Sequence, residues 1–101
     1  MLNLKNKNLT VLDHNLKDFF EMDCSCNKLT TLPTLHDRIT RINCSKNNLN
    51  SLPVLPSNLV YLNCSDNPIE TLPILPSTLR ILDSPPCEAM VFMNEYDSLL
   101  F

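Results

Sequence analysis

The side chains best equipped for chemistry are five cysteines, Cys24, Cys26, Cys44, Cys64 and Cys87, and two histidines, His14 and His36. Thiolates and imidazoles are ligands for zinc, and a thiolate beside a histidine is a nucleophile. The spacing supports neither use. The chain holds no CxxC pair and no HxxxH pair, the short-range ligand pairs from which zinc sites are built. Asp23, Asp66 and Asp83 could suggest a cation site, but they stand on different rows or distant segments. Neither histidine falls in a serine, aspartate or cysteine arrangement that would activate a nucleophile. No catalytic residue, metal or cofactor is therefore expected. The cysteine count is odd and the start, Met1 to Asn8, is too polar for a secretory signal. Both point to reduced thiols and an intracellular setting.

Three of the cysteines carry a different message. Cys24, Cys44 and Cys64 recur at one constant interval, and that interval is twenty. A small, readily buried side chain that recurs in this way marks one core position. The interval extends to the whole chain. Residues 19–38 read FFEMDCSCNKLTTLPTLHDR, residues 39–58 ITRINCSKNNLNSLPVLPSN, and residues 59–78 LVYLNCSDNPIETLPILPST. Residues 79–84, LRILDS, begin a further copy. The shared pattern is LxxLxCSxNxLxxLPxLPxx. A degenerate unit over residues 2–18 precedes it, with Leu2, Leu4, Leu9 and Leu12 in phase and Lys7 where the later units carry Asn27, Asn47 and Asn67. A weakened terminal unit is common in arrays.

Composition narrows the field further. The chain has 101 residues, a net charge of −3 and no glycine. One domain fits that length. The acidic balance disfavours a phosphate-binding surface, so no nucleic acid is expected as a partner. Absence of glycine removes the phosphate-cradling loops and the easiest residue for tight hairpins. No apolar run approaches a membrane span, and no membrane association is expected.

Alternation of polar and apolar residues at 21–25, 41–45 and 61–65 predicts short strands with one buried face. A bend follows at each of Asn27, Asn47 and Asn67. Proline then holds an extended, polyproline-like return, as at Pro53 and Pro56. So short a unit leaves little room for a helix on that return. Strands one period apart would stack in parallel. The apolar rows inside would be Phe19, Ile39, Leu59, Leu79; Met22, Ile42, Leu62, Leu82; and Leu29, Leu49, Ile69, with further rows from Leu12 to Leu72 and from Leu35 to Leu75.

This pattern resembles the leucine-rich repeats, and within them the short 20-residue LPxLP type seen in arrays of bacterial effector proteins and of large DNA viruses of amoebae. Two departures are visible. Cysteine stands at an apolar position that is usually aliphatic, and Leu35-His36 replaces a final Leu-Pro. The resemblance implies a β-rich solenoid over residues 1–84, with short parallel strands on a concave side. It implies that Asn27, Asn47 and Asn67 form a structural asparagine ladder, an alternative to their acting as a polar binding row. The concavity such a solenoid would offer, with its Tyr and Arg, and the absence of a catalytic arrangement lead to the expectation of a non-catalytic module that binds a protein partner.

The expected partner-binding residues lie on the strands' outward side: Glu21, Arg41, Tyr61 and Ile81 in one row, Asp23, Asn43, Asn63 and Asp83 in the next. Ser25, Ser45 and Ser65 with Lys5 form a third row. Tyr61, Arg41 and Ile81 make an anchor group there; the alternative is an ordinary solvated strand face with a Glu21–Arg41 neighbour pair worth under about 1 kcal/mol. Residues 85–101 break the pattern at Pro85-Pro86 and carry apolar residues at helical spacing from Met90 to Leu100. They read as a cap on the last unit or as a docking segment. The alternative function is a structural or assembly subunit, of viral type, that self-associates through its ends or its C-terminal segment.

Overall fold

The computed structural model describes residues 1–12 and 19–85. His14, Cys87 and the helical spacing expected from Met90 to Leu100 lie outside them. Five strands make one sheet in chain order: β1 (Leu2–Asn3), β2 (Glu21–Asp23), β3 (Arg41–Asn43), β4 (Tyr61–Asn63) and β5 (Ile81–Asp83). Every neighbouring pair is parallel, and the register joins equivalent positions of successive units: Leu2 to Met22, Met22 to Ile42, Ile42 to Leu62, Leu62 to Leu82. No helix is present among the described residues.

The strands are shorter than the alternation predicts. Each of β2, β3 and β4 ends where an Asx turn takes over. The Oδ1 of Asp23, Asn43 or Asn63 accepts the backbone N–H of Ser25, Ser45 or Ser65 at 3.0 to 3.1 Å. Hydrogen bonding between segments nonetheless continues past the strands, with Cys24 N–H donating to Asn43 O and Cys26 N–H to Ser45 O.

The core lies on one side of the sheet. Ile39, Ile42, Leu49, Leu59 and Leu75 are fully buried, as are Cys24, Cys44 and Cys64. Each such aliphatic side chain contributes about 1.5–3 kcal/mol. At the two ends of the sheet Leu2, Leu4, Leu79 and Leu82 are only partly buried; among the described residues each has a neighbour in register on one side only.

Three asparagines hold the bends. Asn47 Nδ2 donates to Cys44 O and Ser45 O of its own segment and to Cys24 O of the preceding one, at 3.0 to 3.1 Å. Its Oδ1 accepts Leu29 N–H at 3.0 Å. Asn67 repeats this with Cys64, Ser65, Cys44 and Leu49. Asn27 does so with Cys24, Ser25 and Leu4, and accepts from both Lys7 and Leu9. All three are buried. The residue before each is left-handed: Cys26, Lys46 and Asp66 have φ of 57°, 56° and 55°. Without glycine, that conformation falls to Cys26 and Lys46, where it costs about 1–2 kcal/mol, and to Asp66, whose short polar side chain tolerates it better. The bonds from Cys26 N–H to Ser45 O and from Lys46 N–H to Ser65 O, each 3.0 Å, help to hold it.

The return ends in a tight turn. Leu59 N–H donates to Pro56 O and Leu79 N–H to Pro76 O, both at 3.1 Å, and Ile39 N–H to His36 O at 3.2 Å. His36 thus occupies a proline position in an unchanged backbone. Its Nδ1 accepts Arg38 N–H at 3.2 Å, which leaves the proton of the neutral ring on Nε2. That nitrogen is buried and has no partner among the described residues, while the ring packs edge-on against Phe19. An unpaired buried donor costs about 1–3 kcal/mol, and proline at a compatible site stabilises by restricting the unfolded chain. His36→Pro should therefore raise stability by about 1 kcal/mol. Thermal melts check this, and a lowered melting temperature would show that the Phe19 contact outweighs the unpaired nitrogen.

Candidate functional site

The outer face of the sheet carries what the core does not. In register across it run Met1, Glu21, Arg41, Tyr61 and Ile81. Arg41 lies over the Tyr61 ring, its guanidinium carbon 4.5 Å from the ring centroid. A cation over an aromatic face contributes about 0.5–1 kcal/mol when exposed. The Glu21–Arg41 pair of the alternative, solvated-face reading is not formed among the described residues: the guanidinium meets Tyr61 instead. The two partners of Arg41 are equally near in register, and the ring offers a broad face that costs the guanidinium little of its hydration.

The next row is Asn3, Asp23, Asn43, Asn63 and Asp83. Its oxygens have a local task. The hydroxyls of Ser25, Ser45 and Ser65 donate to Asp23, Asn43 and Asn63 Oδ1 at 2.6, 2.7 and 2.8 Å. The serines therefore fold back onto this row, and Ser25 and Ser45 are buried. They do not form the exposed third row expected of them. A hydroxyl two residues beyond an Asx oxygen is drawn into a closed ring and covered by its neighbours. At β5 the motif cannot form. Residue 85 is proline, which has neither an N–H nor a hydroxyl, so no serine claims the Asp83 carboxylate.

An open cavity of about 160 Å³ lies on this face, lined by Met1, Glu21, Met22, Asp23, Arg41, Asn43 and Tyr61. The structure thus brings Glu21, Asp23, Arg41, Asn43 and Tyr61 together. Asn63, Ile81 and Asp83 stand on the same face beside them, and Ile81 is 53% exposed. Met1 is a member of the row that the sequence reading missed, although its place one period before Glu21 puts it there. Asn27, Asn47 and Asn67 are not part of the face.

The cysteine column lies on the core side. Burial pushes the Cys24 thiol up to about 12, with the Asp23 carboxylate adding to the effect. Burial also holds Cys44 well above its ordinary value, with Cys24 and Cys64 reinforcing it. Such thiols are poor nucleophiles and poor ligands. Among the described residues no group of three or more His, Cys, Asp or Glu is placed to hold a metal ion, and no helix is long and apolar enough to cross a membrane.

No family model matches this chain, and no curated protein or solved structure is significantly similar to it.

The thiols give a pH dependence with a definite sign. The unfolded chain releases the Cys24 proton near 9.0 and the folded chain near 12. Between those values the unfolded state binds fewer protons, so stability is intact below pH 9 and falls as pH rises. Melts of the wild type should show this alkaline loss, and Cys24→Val should lessen it. An equally steep loss in the variant would exclude the thiol as its source.

Proposed function

We propose that the chain is a leucine-rich-repeat solenoid of the short LPxLP type and that it acts as a non-catalytic, intracellular protein-binding module. Its concave side is the outer face of the sheet. The observation that carries this reading is the Arg41–Tyr61 stack at the rim of an open cavity on a face with no core role. Aromatic and arginine side chains dominate interface energies, and stacking fixes both before a partner arrives, which lowers the entropy lost on binding. In-register pairing of equivalent positions in every unit supports the solenoid, and the hydrogen-bonded Asn27, Asn47 and Asn67 support the asparagine ladder.

A second reading, a structural subunit that associates end to end, draws support from the partly buried leucines of the first and last segments. Solution mass separates the two. A concentration-independent monomer favours the binding module, and growing oligomers favour assembly.

Paired variants test the binding face. Tyr61→Ala should cost no more than about 1 kcal/mol, the worth of the Arg41 stack it removes, yet weaken partner capture from the source cells by at least about tenfold, as loss of an aromatic anchor does. Leu62→Ala, one residue away and buried, should cost about 2–5 kcal/mol. Capture undiminished by Tyr61→Ala would remove the outer face from consideration.

A further inference from the structure

The Asx row fixes which atoms face outward, and that pattern specifies a ligand. Asp23, Asn43 and Asn63 each commit Oδ1 to a serine N–H and hydroxyl. Asp23 makes these bonds with an atom that can only accept, so the same place in Asn43 and Asn63 must be the amide oxygen. The other branch then points away from the serine. It is a carboxylate oxygen in Asp23 and an NH₂ donor in Asn43 and Asn63. Neither amide nitrogen donates to an acceptor among the described residues. Asp83, which no serine claims, adds a second carboxylate at β5.

Across the strands, the outer face therefore has three zones. Over β2 stand the Glu21 and Asp23 carboxylates. Over β3 and β4 stand donors on rigid supports: the Arg41 guanidinium held on Tyr61, and the Asn43 and Asn63 amides. Over β5 stands Asp83. The central donors have no carboxylate partner among the described residues, although two acidic strands flank them.

We infer that this face takes an extended protein segment that crosses the strands, with an acidic side chain at its centre and a basic side chain two residues to either side. The inference rests on the outer face being the binding face and adds the chemistry of its partner. Charge complementarity places the carboxylate on Arg41, Asn43 and Asn63, a charge-assisted arrangement stronger than neutral hydrogen bonds. Spacing agrees with it. From the midpoint of β3 and β4 to β2 or β5 is one and a half strand separations, about 7 Å, and two residues of extended chain span about 6.6 Å. Side chains two apart on such a segment point to the same side. The flanking carboxylates repel a uniformly acidic segment, and the central arginine repels a uniformly basic one, so the alternating pattern is selected against both.

The probes are end-blocked peptides of sequence Lys-Ala-Glu-Ala-Lys, its Gln-centred analogue Lys-Ala-Gln-Ala-Lys, and the inverted Glu-Ala-Lys-Ala-Glu. Each is titrated at millimolar concentration into the full chain and followed by NMR at the side-chain amides of Asn43 and Asn63 and at Arg41 Nε. The Glu-centred peptide should give saturable shifts at these groups. Both other peptides should bind about tenfold more weakly, the scale of one charge-assisted contact. Asn43→Asp keeps the oxygen that holds Ser45, as Asp23 does for Ser25, but turns the outward donor into a carboxylate. It should melt within a few degrees of wild type and lose the preference for the Glu-centred peptide. Equal binding of the Gln-centred peptide, an unaffected Asn43→Asp variant, or no saturable shift with any peptide would each overturn the inference. Outer-face shifts without a preference for glutamate would overturn it too, while leaving the binding face standing. Shifts confined to Val54 and Ile74, on the return, would refute the face itself.

Discussion

Everything in this fold depends on how a chain without glycine turns a corner in every repeat unit and still pairs with itself. The amides of Asn27, Asn47 and Asn67 provide the means at three of these bends. Asn47 bonds to three carbonyls and one N–H, drawn from two successive segments. Its two N–H groups serve three acceptors, so at least one bond is shared. These groups are buried, and each left unpaired would cost about 1–3 kcal/mol. Without the side chain the bend would have to open, and the register would open with it. The column of Cys24, Cys44 and Cys64 is fully buried beside the bends, and the backbone carbonyls of all three are bound by the asparagines.

The outer face inherits its order from this arrangement. Register fixes Glu21 beside Arg41 and Arg41 beside Tyr61, at a strand spacing set by backbone hydrogen bonds. The Asx turns that end the strands then orient the second row without any contribution from the core. Local hydrogen bonds therefore settle which way an asparagine branch points, and long-range pairing settles what stands beside it. Under the proposed reading, side chains held this way lose less conformational entropy when a partner docks.

Much of this was legible in the sequence because one interval is both the chemical period and the pairing register. Met22, Ile42 and Leu62 could be assigned inward, and Glu21, Arg41 and Tyr61 outward, from alternation alone. Bonds between a side chain and its own backbone were harder to read. Ser25 and Ser45 alternate as exposed residues should, yet they are buried, because polarity patterns do not register a hydroxyl folded back on Asp23 or Asn43. Arg41 had two neighbours, and residue types do not say whether a guanidinium turns toward a carboxylate or a ring. The left-handed backbone had a partial signal, since Asn6 and Asp66 are of types that tolerate it, but Cys26 and Lys46 at the equivalent positions are not. The alternation also ran beyond the strands, into the Asx turns.

The asparagine bends are tested most directly by the stability of Asn47→Ala measured against Asn50→Ala, an exposed asparagine further along the same segment. If Asn47 holds two segments together, its removal costs upward of about 3 kcal/mol by chemical denaturation and strips hydrogen-exchange protection from the Leu29 N–H, while Asn50→Ala stays within about 0.5 kcal/mol of wild type. Equal stabilities for the two variants, with Leu29 still protected, would contradict the account.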